Sequence, residues 1–482
     1  MKSQIPNPKS QIPVSCGIPL SQNNKGRENS NNQSSNIQSR SCFGHSVIGI
    51  WYLFVIWNLL FGIFSACFAQ SDLNFTAQDR VLIIAPHPDD EIIASGGVIQ
   101  KALNAKAAVK VAYFTNGDYN EISFLFYKKQ LALFRSGFVT IGKIRQREAV
   151  SATASLGITG GDIIFLGYPD RFTEAILLNF WNKENPFHSL LTHLNKVPYE
   201  SALSYGAPYI GGSILNDFKN ILSAFKPTKI FVSSPQDTNP DHRSAFVYLN
   251  VALLDLRRTL KDPVVYLYLV HKINWPSRQQ YFPGEELETP PDLESGDKNW
   301  IKLVLTDNEI KNKYKALFAY TSQLSFKKSY LLSFVRKNEL FYTQPQLVLT
   351  KNDRRYPREL YSKVISDIYL RRDPGFLYLK ISFYKNVAPQ IWAHIHLLGY
   401  RQDRNFSEMP KLFLRAKNKR VIAYANRKAF RIPGAELISR GNELFLKIPL
   451  WSLGNPEYIF SRIILMGKVF SVYVAPWRLL VI

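Results

Sequence analysis

At 482 residues the chain is too long for one ordinary core, so two folded domains with additional segments are expected. Hydrophobic residues make up 46% of it, including 32 Phe and 25 Tyr, which excludes a wholly disordered chain. The net charge is +23, of which residues 1–69 hold +4 and the remainder +19. That excess suits an anionic membrane surface or an acidic glycan as well as nucleic acid. The lack of a lysine–arginine stripe, a zinc finger or an aromatic RNA-binding motif argues against nucleic acid.

Residues 1–45 are rich in Asn, Ser, Gln and Pro and repeat KSQIP at 2–6 and 9–13, which predicts a disordered leader. Residues 46–69 are apolar, with Asn58 the one strongly polar side chain from Val47 onward. The run is long enough to span a bilayer, and it also fits a signal segment cleaved after Ala69. Alternatively, Phe64-Ser65-Ala66-Cys67 reads as a relaxed lipoprotein signal acylated at Cys67. Secreted, lipidated or anchored, the bulk of the chain is expected outside the cytoplasm. The three cysteines, Cys16, Cys42 and Cys67, all precede residue 68, so any metal in the folded part takes nitrogen and oxygen ligands.

From Arg80 short apolar runs alternate with helical stretches. VLIIAP (81–86) predicts a buried strand and 91–105 the helix after it; VKVAYFTNGD (109–118) is a second strand, with a helix near 143–156. DIIFLGYPD (162–170) is a third strand; an insertion at 171–211 and a helix at 213–225 follow. KIFVSSP (229–235), a helix at 242–258 and VVYLYLV (264–270) complete the series. This alternation predicts an α/β, Rossmann-like, mostly parallel sheet covered by helices on both faces. Residues 271–306 read as loop and 307–341 as helix packed back onto the sheet. Beyond 345, short strands without a long helix predict an antiparallel β-sandwich of roughly seven strands over 345–482.

The chemistry concentrates after two of the strands. Pro86-His87-Pro88-Asp89-Asp90-Glu91 stands between a buried strand and a helix, where so many charges are costly unless a cation neutralises them. An acidic helix cap is the alternative reading of these six residues alone. Asp237-Thr238-Asn239-Pro240-Asp241-His242-Arg243 follows another buried strand and offers a second imidazole from the same sheet edge. His87, Asp90 and His242 meet the three-ligand count of a catalytic Zn²⁺ with one open position, other divalent first-row metals being possible. Asp89 is then placed as general base beside a metal-activated water, and Asp241 as the partner orienting the His242 imidazole. Arg145 and Glu148 form either an ion pair near the mouth or a solvated i,i+3 pair. Asp118 and Asp170 follow strands and either contact sugar hydroxyls or cap turns. His271 is placed at the pocket rim or in the framework with equal reason. His188 with His193, and His394 with His396, read as packing or surface residues.

PHPDDE, TNG, RxxE, FLGYPD and PDHR, in this order over about residues 80–270, resemble the LmbE-like or N-acetylglucosaminyl-phosphatidylinositol deacetylase family. The resemblance implies zinc, a deacetylase domain over 75–341, and hydrolysis of an N-acetyl group on a sugar, usually N-acetylglucosamine, in a glycolipid, glycan or small glycoside. It carries the zinc ligands onto His87, Asp90 and His242 and the general base onto Asp89. The family's second motif usually reads His-Pro-Asp-His, its first His helping to hold the oxyanion; here that position is Asn239, which can donate a hydrogen bond but carries no charge. A catalytically silent glycan-binding or surface protein on the same scaffold is the alternative reading.

Overall fold

The computed structural model describes residues 73–119, 135–294, 299–356, 364–385, 391–417, 420–467 and 471–482. The expected leader, the apolar segment 46–69 and all three cysteines lie outside the described residues. No helix among the described residues is long and apolar enough to cross a membrane.

The first strand, β1 (Arg80–Ala85), is buried from Val81 onward, as its unbroken apolar run requires of a strand covered on both faces. In chain order come α1 (Asp90–Asn104), β2 (Ala108–Thr115), α2 (Arg135–Ser155), β3 (Ile163–Tyr168), α3 (Thr173–Asn179), α4 (Gly211–Phe225), β4 (Lys229–Ser233), α5 (Pro240–Leu256) and β5 (Val264–Tyr268). The strands pair in parallel in the order β3-β2-β1-β4-β5. The chain builds outward from β1 in one direction and then from β4 in the other. A crevice therefore opens between the carboxyl ends of β1 and β4, where ligands bind in sheets of this kind. The two charged motifs follow those two strands.

The segment 271–341 departs from its expected loop-then-helix pattern. It contains α6 (Pro291–Glu294), β6 (Trp300–Val304), α7 (Asp307–Leu317), α8 (Thr321–Leu332) and β7 (Asn338–Tyr342), and it extends the sheet by two antiparallel strands to the order β3-β2-β1-β4-β5-β7-β6. Its polar residues hid β7. Asn338 is buried and bonds the backbone of Leu287 through both amide atoms. Glu339 is buried against α1, where Ser95 breaks the helical backbone, and accepts from Gly97 N at 2.7 Å and Val98 N at 3.1 Å. Lys313 Nζ lies 2.6 Å from Glu339 Oε1 and donates to Ile93 O. Both charges are sealed from solvent, so Lys313→Met should cost about 3–5 kcal/mol in urea unfolding by leaving the carboxylate unpaired.

The C-terminal region folds as two packed sheets. One holds β16 (Glu436–Arg440), β17 (Glu443–Pro449), β11 (Phe376–Phe383), β10 (Ile365–Arg372) and β9 (Arg354–Arg355); the other holds β15 (Lys428–Phe430), β14 (Arg420–Ala425), β13 (Lys411–Lys417), β12 (Trp392–Tyr400), β18 (Tyr458–Met466), β19 (Ser471–Val481) and β8 (Leu347–Val348). Apolar side chains such as Ile368, Leu379 and Leu446 meet Ile395, Leu414 and Ile463 in one core. The count exceeds the expected seven strands. Very short strands such as β8 and β9 carry no periodic signal, and the Asn426-Arg427 turn, with positive φ at both residues, splits β15 from β14.

The outer face of the larger sheet shares a core with the α/β layer, where Tyr400, Phe406, Phe460 and Trp477 cluster with Phe180 and Tyr248. At its polar edge Glu174 lies 2.6 Å from Arg243 Nη2 and 3.3 Å from Arg462 Nη1, and accepts from Trp477 Nε1 at 2.8 Å. Burial would raise this carboxyl, but the two guanidiniums hold it down to about 2. A carboxyl with a depressed folded-state pKa stabilises the protein above its ordinary value of 4.5, and that stability is lost as pH falls toward 2. We expect Glu174→Gln to remove about 3 kcal/mol at neutral pH and to flatten the loss of stability between pH 4.5 and 3, read by thermal melts across that range.

Candidate metal centre

The turn from β1 into α1 begins the site. Asp90 opens α1, and its Oδ2 accepts from His87 N at 2.9 Å, bending the chain so that His87 and Asp90 face one point. Asp89, between them, has φ 125°, a costly conformation for a residue with a side chain. From the end of β4, α5 delivers His242, with Asn239 as its N-cap accepting from Asp241 N at 2.9 Å.

His87 Nδ1, His242 Nε2 and Asp90 Oδ2 form a triangle with edges of 3.2, 3.1 and 3.2 Å. Donors at 2.0–2.1 Å from a tetrahedral cation stand about 3.3–3.4 Å apart, so one divalent ion fits the three atoms with little adjustment. The far side of each imidazole is held by carboxylates. His87 Nε2 is 3.1 Å from Asp170 Oδ1 and 3.2 Å from Asp241 Oδ2. His242 Nδ1 is 3.1 Å from Asp237 Oδ2, close enough for an ion pair though not aligned as a hydrogen bond. Such backing fixes the tautomer that turns the other nitrogen inward. His271 is the fourth member of the group, its ring 4.8 Å from that of His242.

Burial opposes charge on His242, yet Asp237 and Asp90 outweigh it and push the imidazole up to about 9; for Asp90 the attraction of His242 likewise exceeds burial and holds the carboxyl well below its usual range. A site this attractive to protons attracts a cation for the same reason. Burial pushes the Asp89 carboxyl up to about 6, against the pull of Arg145 and with the repulsion of Asp90. His271, by contrast, is pushed down to about 3 by burial and is therefore neutral.

These groups line a cavity of about 540 Å³ that includes His87, Asp89, Asp90, Asp170, Asn239 and His271. Asp118 is not in its wall: it lies behind, accepting from Tyr199 OH at 2.8 Å and Asp170 N at 3.2 Å, and burial with Asp170 raises it to about 7. Asp170 lies at the cavity but its carboxylate is engaged with His87, not free for a sugar hydroxyl. Arg145 reaches the cavity as a buried clamp, donating to Pro88 O at 2.5 Å and Gly117 O at 3.0 Å with Asp89 Oδ2 at 3.3 Å. The alternative pair with Glu148 does not form. Glu148 instead accepts from Thr321 Oγ1, Ser322 N and Ser322 Oγ at the start of α8.

Asp241 is a second correction. Expected behind His242, it lies on the opposite side, accepting from Arg171 N, Thr173 N and Thr173 Oγ1 and touching His87. Adjacent residues on a helix point away from each other, so Asp241 and His242 diverge and Asp237 takes the place behind His242.

Residues 82–252, the stretch that builds this centre, match the sequence model of the PIG-L family, GlcNAc-PI de-N-acetylase. Over this stretch the chain is similar to that family. Among curated relatives, 118 residues are 28% identical to the 1D-myo-inositol 2-acetamido-2-deoxy-alpha-D-glucopyranoside deacetylase of Salinispora arenicola, covering 24% of this chain and 36% of that protein. A stretch of 39 residues is 46% identical to a glucosamine-6-phosphate deaminase-like protein of Bacteroides thetaiotaomicron, covering 8% of this chain and 6% of that one. The chain thus spans well under two thirds of the curated relatives it matches. Among solved structures, the N,N'-diacetylchitobiose deacetylase of Pyrococcus horikoshii superposes with a TM-score of 0.35 at 19% identity, covering 56% of this chain and 85% of that one. At that score the likeness bears on neither substrate nor mechanism.

Several residues at this centre carry no role that the sequence alone announces. Asp237 stood in the second motif, but proximity in sequence favoured Asp241. Glu91 stood in the first; it is buried, accepts from Asp89 N at 3.1 Å and from Tyr320 OH, and so steadies the strained Asp89 backbone. Lys327 and Tyr330 enter the cavity from α8, far along the chain, and no local pattern announces them.

Proposed function

We propose that this chain is a metal-dependent N-deacetylase that uses zinc to remove the acetyl group from an N-acetylglucosamine-type sugar. The observation that carries the reading is the 3.1–3.2 Å triangle of His87, His242 and Asp90 with Asp89 at its edge. Sulfur-free nitrogen and oxygen donors suit zinc, and the PIG-L match supplies the reaction class. A zinc ion held there supplies Lewis acidity toward the acetyl carbonyl and a water of lowered pKa.

The chain's own residues do the rest. Asp89, held by Arg145, takes a proton from the attacking water and returns it to the departing amine, so that water and amide become acetate and a free amino sugar. Asn239 caps α5 through its Oδ1, which leaves its NH₂ as the donor available to the cavity. Asp237 fixes the His242 ring, and Asp170 with Asp241 fixes that of His87. The cavity of about 540 Å³ is larger than one acetylated hexose needs, consistent with a glycolipid or an oligosaccharide.

The reading extends to the whole chain: deacetylase domain over 75–341, accessory β-sandwich over 345–482, and an extracytoplasmic location given by residues 46–69 as signal, lipidation site or anchor. The charge of +23 suits an anionic membrane or an acidic glycan as the surface on which it works. Acetate release from a panel of N-acetylated amino sugars, with the metal content measured in parallel, tests the activity. A zinc-loaded protein that releases none would favour the silent, glycan-binding alternative.

A further inference from the structure

Attack on an amide places a full negative charge on the former carbonyl oxygen, and an enzyme gains most from a donor aimed at that charge. The cavity wall offers few groups free to supply it. The Arg145 guanidinium is engaged through its two terminal nitrogens by Asp89 and two backbone carbonyls, and its Nε–H is buried without a partner. Tyr330 OH donates to Val270 O at 2.9 Å, His271 is neutral, and Arg171 is exposed at the mouth with its guanidinium over the Tyr119 ring. Lys327 remains.

This lysine comes from α8, beyond the residues matched by the family. It is half-buried in the cavity wall with its ammonium 5.2 Å from the centre of the Phe326 ring, and among the described residues it has no ion-pair partner. It shares that wall with His87, Asp89 and Asp90; burial and the Arg145 guanidinium pull its pKa down, while the charges of Asp89, Asp170 and Asp90 act in the opposite sense. The helical backbone of α8 breaks at this residue, with φ −114° and ψ 16° and no Pro or Gly to account for it. Glu148 anchors the start of α8 from α2, one helical turn from Arg145, so one helix holds both the general base and the segment that carries the lysine.

We infer that Lys327 is a catalytic residue whose ammonium faces the oxyanion of the tetrahedral intermediate and supplies the positive charge that Asn239 lacks. The inference rests on the deacetylase reading above. No bond is made to the lysine: water adds to the carbonyl carbon, the carbon–nitrogen bond breaks, and Lys327 keeps its protons throughout.

The test compares wild type, Lys327→Met and Lys327→Arg in the full-length zinc-loaded protein. It uses acetate release and the affinity of a methylphosphonamidate of glucosamine, a tetrahedral anionic mimic. Lys327→Met should lower kcat about 10²-fold with KM nearly unchanged. It should weaken the phosphonamidate by a similar factor while leaving glucosamine binding intact, and Lys327→Arg should recover part of both losses. An unchanged kcat, or a rise in KM alone, overturns the assignment while leaving the deacetylase reading in place. Wild type that neither releases acetate nor binds the phosphonamidate overturns that reading and the lysine's role with it.

Discussion

His242→Gln will yield a folded protein that retains no stoichiometric divalent metal and releases no acetate. The imidazole supplies one of three inward-facing donor atoms, and the other two, on His87 and Asp90, lie in one turn and cannot enclose an ion alone. Glutamine fits the space and can donate to Asp90 and Asp237, so the loss is one of affinity more than of fold. Asp237→Asn, which leaves all three donors in place, should weaken metal binding about 10–100-fold. Metal content by mass spectrometry after dialysis, with circular dichroism to verify folding, separates the two variants. Full metal retention in His242→Gln would mean the ion is held elsewhere.

Asp89→Asn separates chemistry from metal binding. The carboxylate belongs to none of the groups that hold the candidate ion, yet it lines the cavity beside them and is clamped by Arg145. Asparagine keeps the shape and can still accept at its remaining oxygen, but it cannot accept the proton of the attacking water. Zinc content should therefore stay at the wild-type level while kcat falls about 10²–10⁴-fold. A variant as active as wild type would remove Asp89 from the mechanism. Simultaneous loss of metal and activity would make Asp89 a ligand or a structural residue.

Much of the centre was legible because its first half is local. In the turn after β1, His87, Asp89 and Asp90 fall within four consecutive positions, and the buried run before them can only be an inner strand. The second half became legible once strand order placed β4 beside β1. What escaped were side chains whose roles depend on direction. Asp237 and Asp241 stand in the same motif as His242, the latter beside it, and only the start of α5 at Pro240 decides which faces the ring. Asp170 and Asp118 both follow strands as expected, yet one touches His87 and the other lies behind it. Lys327 sits in a helix of weak amphipathic pattern, so nothing in its neighbourhood marks the one side that turns inward. The inner strand β7 was hidden because Asn338 and Glu339, polar by composition, are buried by virtue of partners supplied from Leu287, Gly97, Val98 and Lys313.

The most direct test is a crystal of the protein loaded with zinc and recorded at the zinc absorption edge. The account predicts a single anomalous peak about 2.0–2.1 Å from His87 Nδ1 and His242 Nε2, with Asp90 Oδ2 as third ligand and Asp89 left free. A peak elsewhere, or none at full zinc occupancy of the solution, would contradict it.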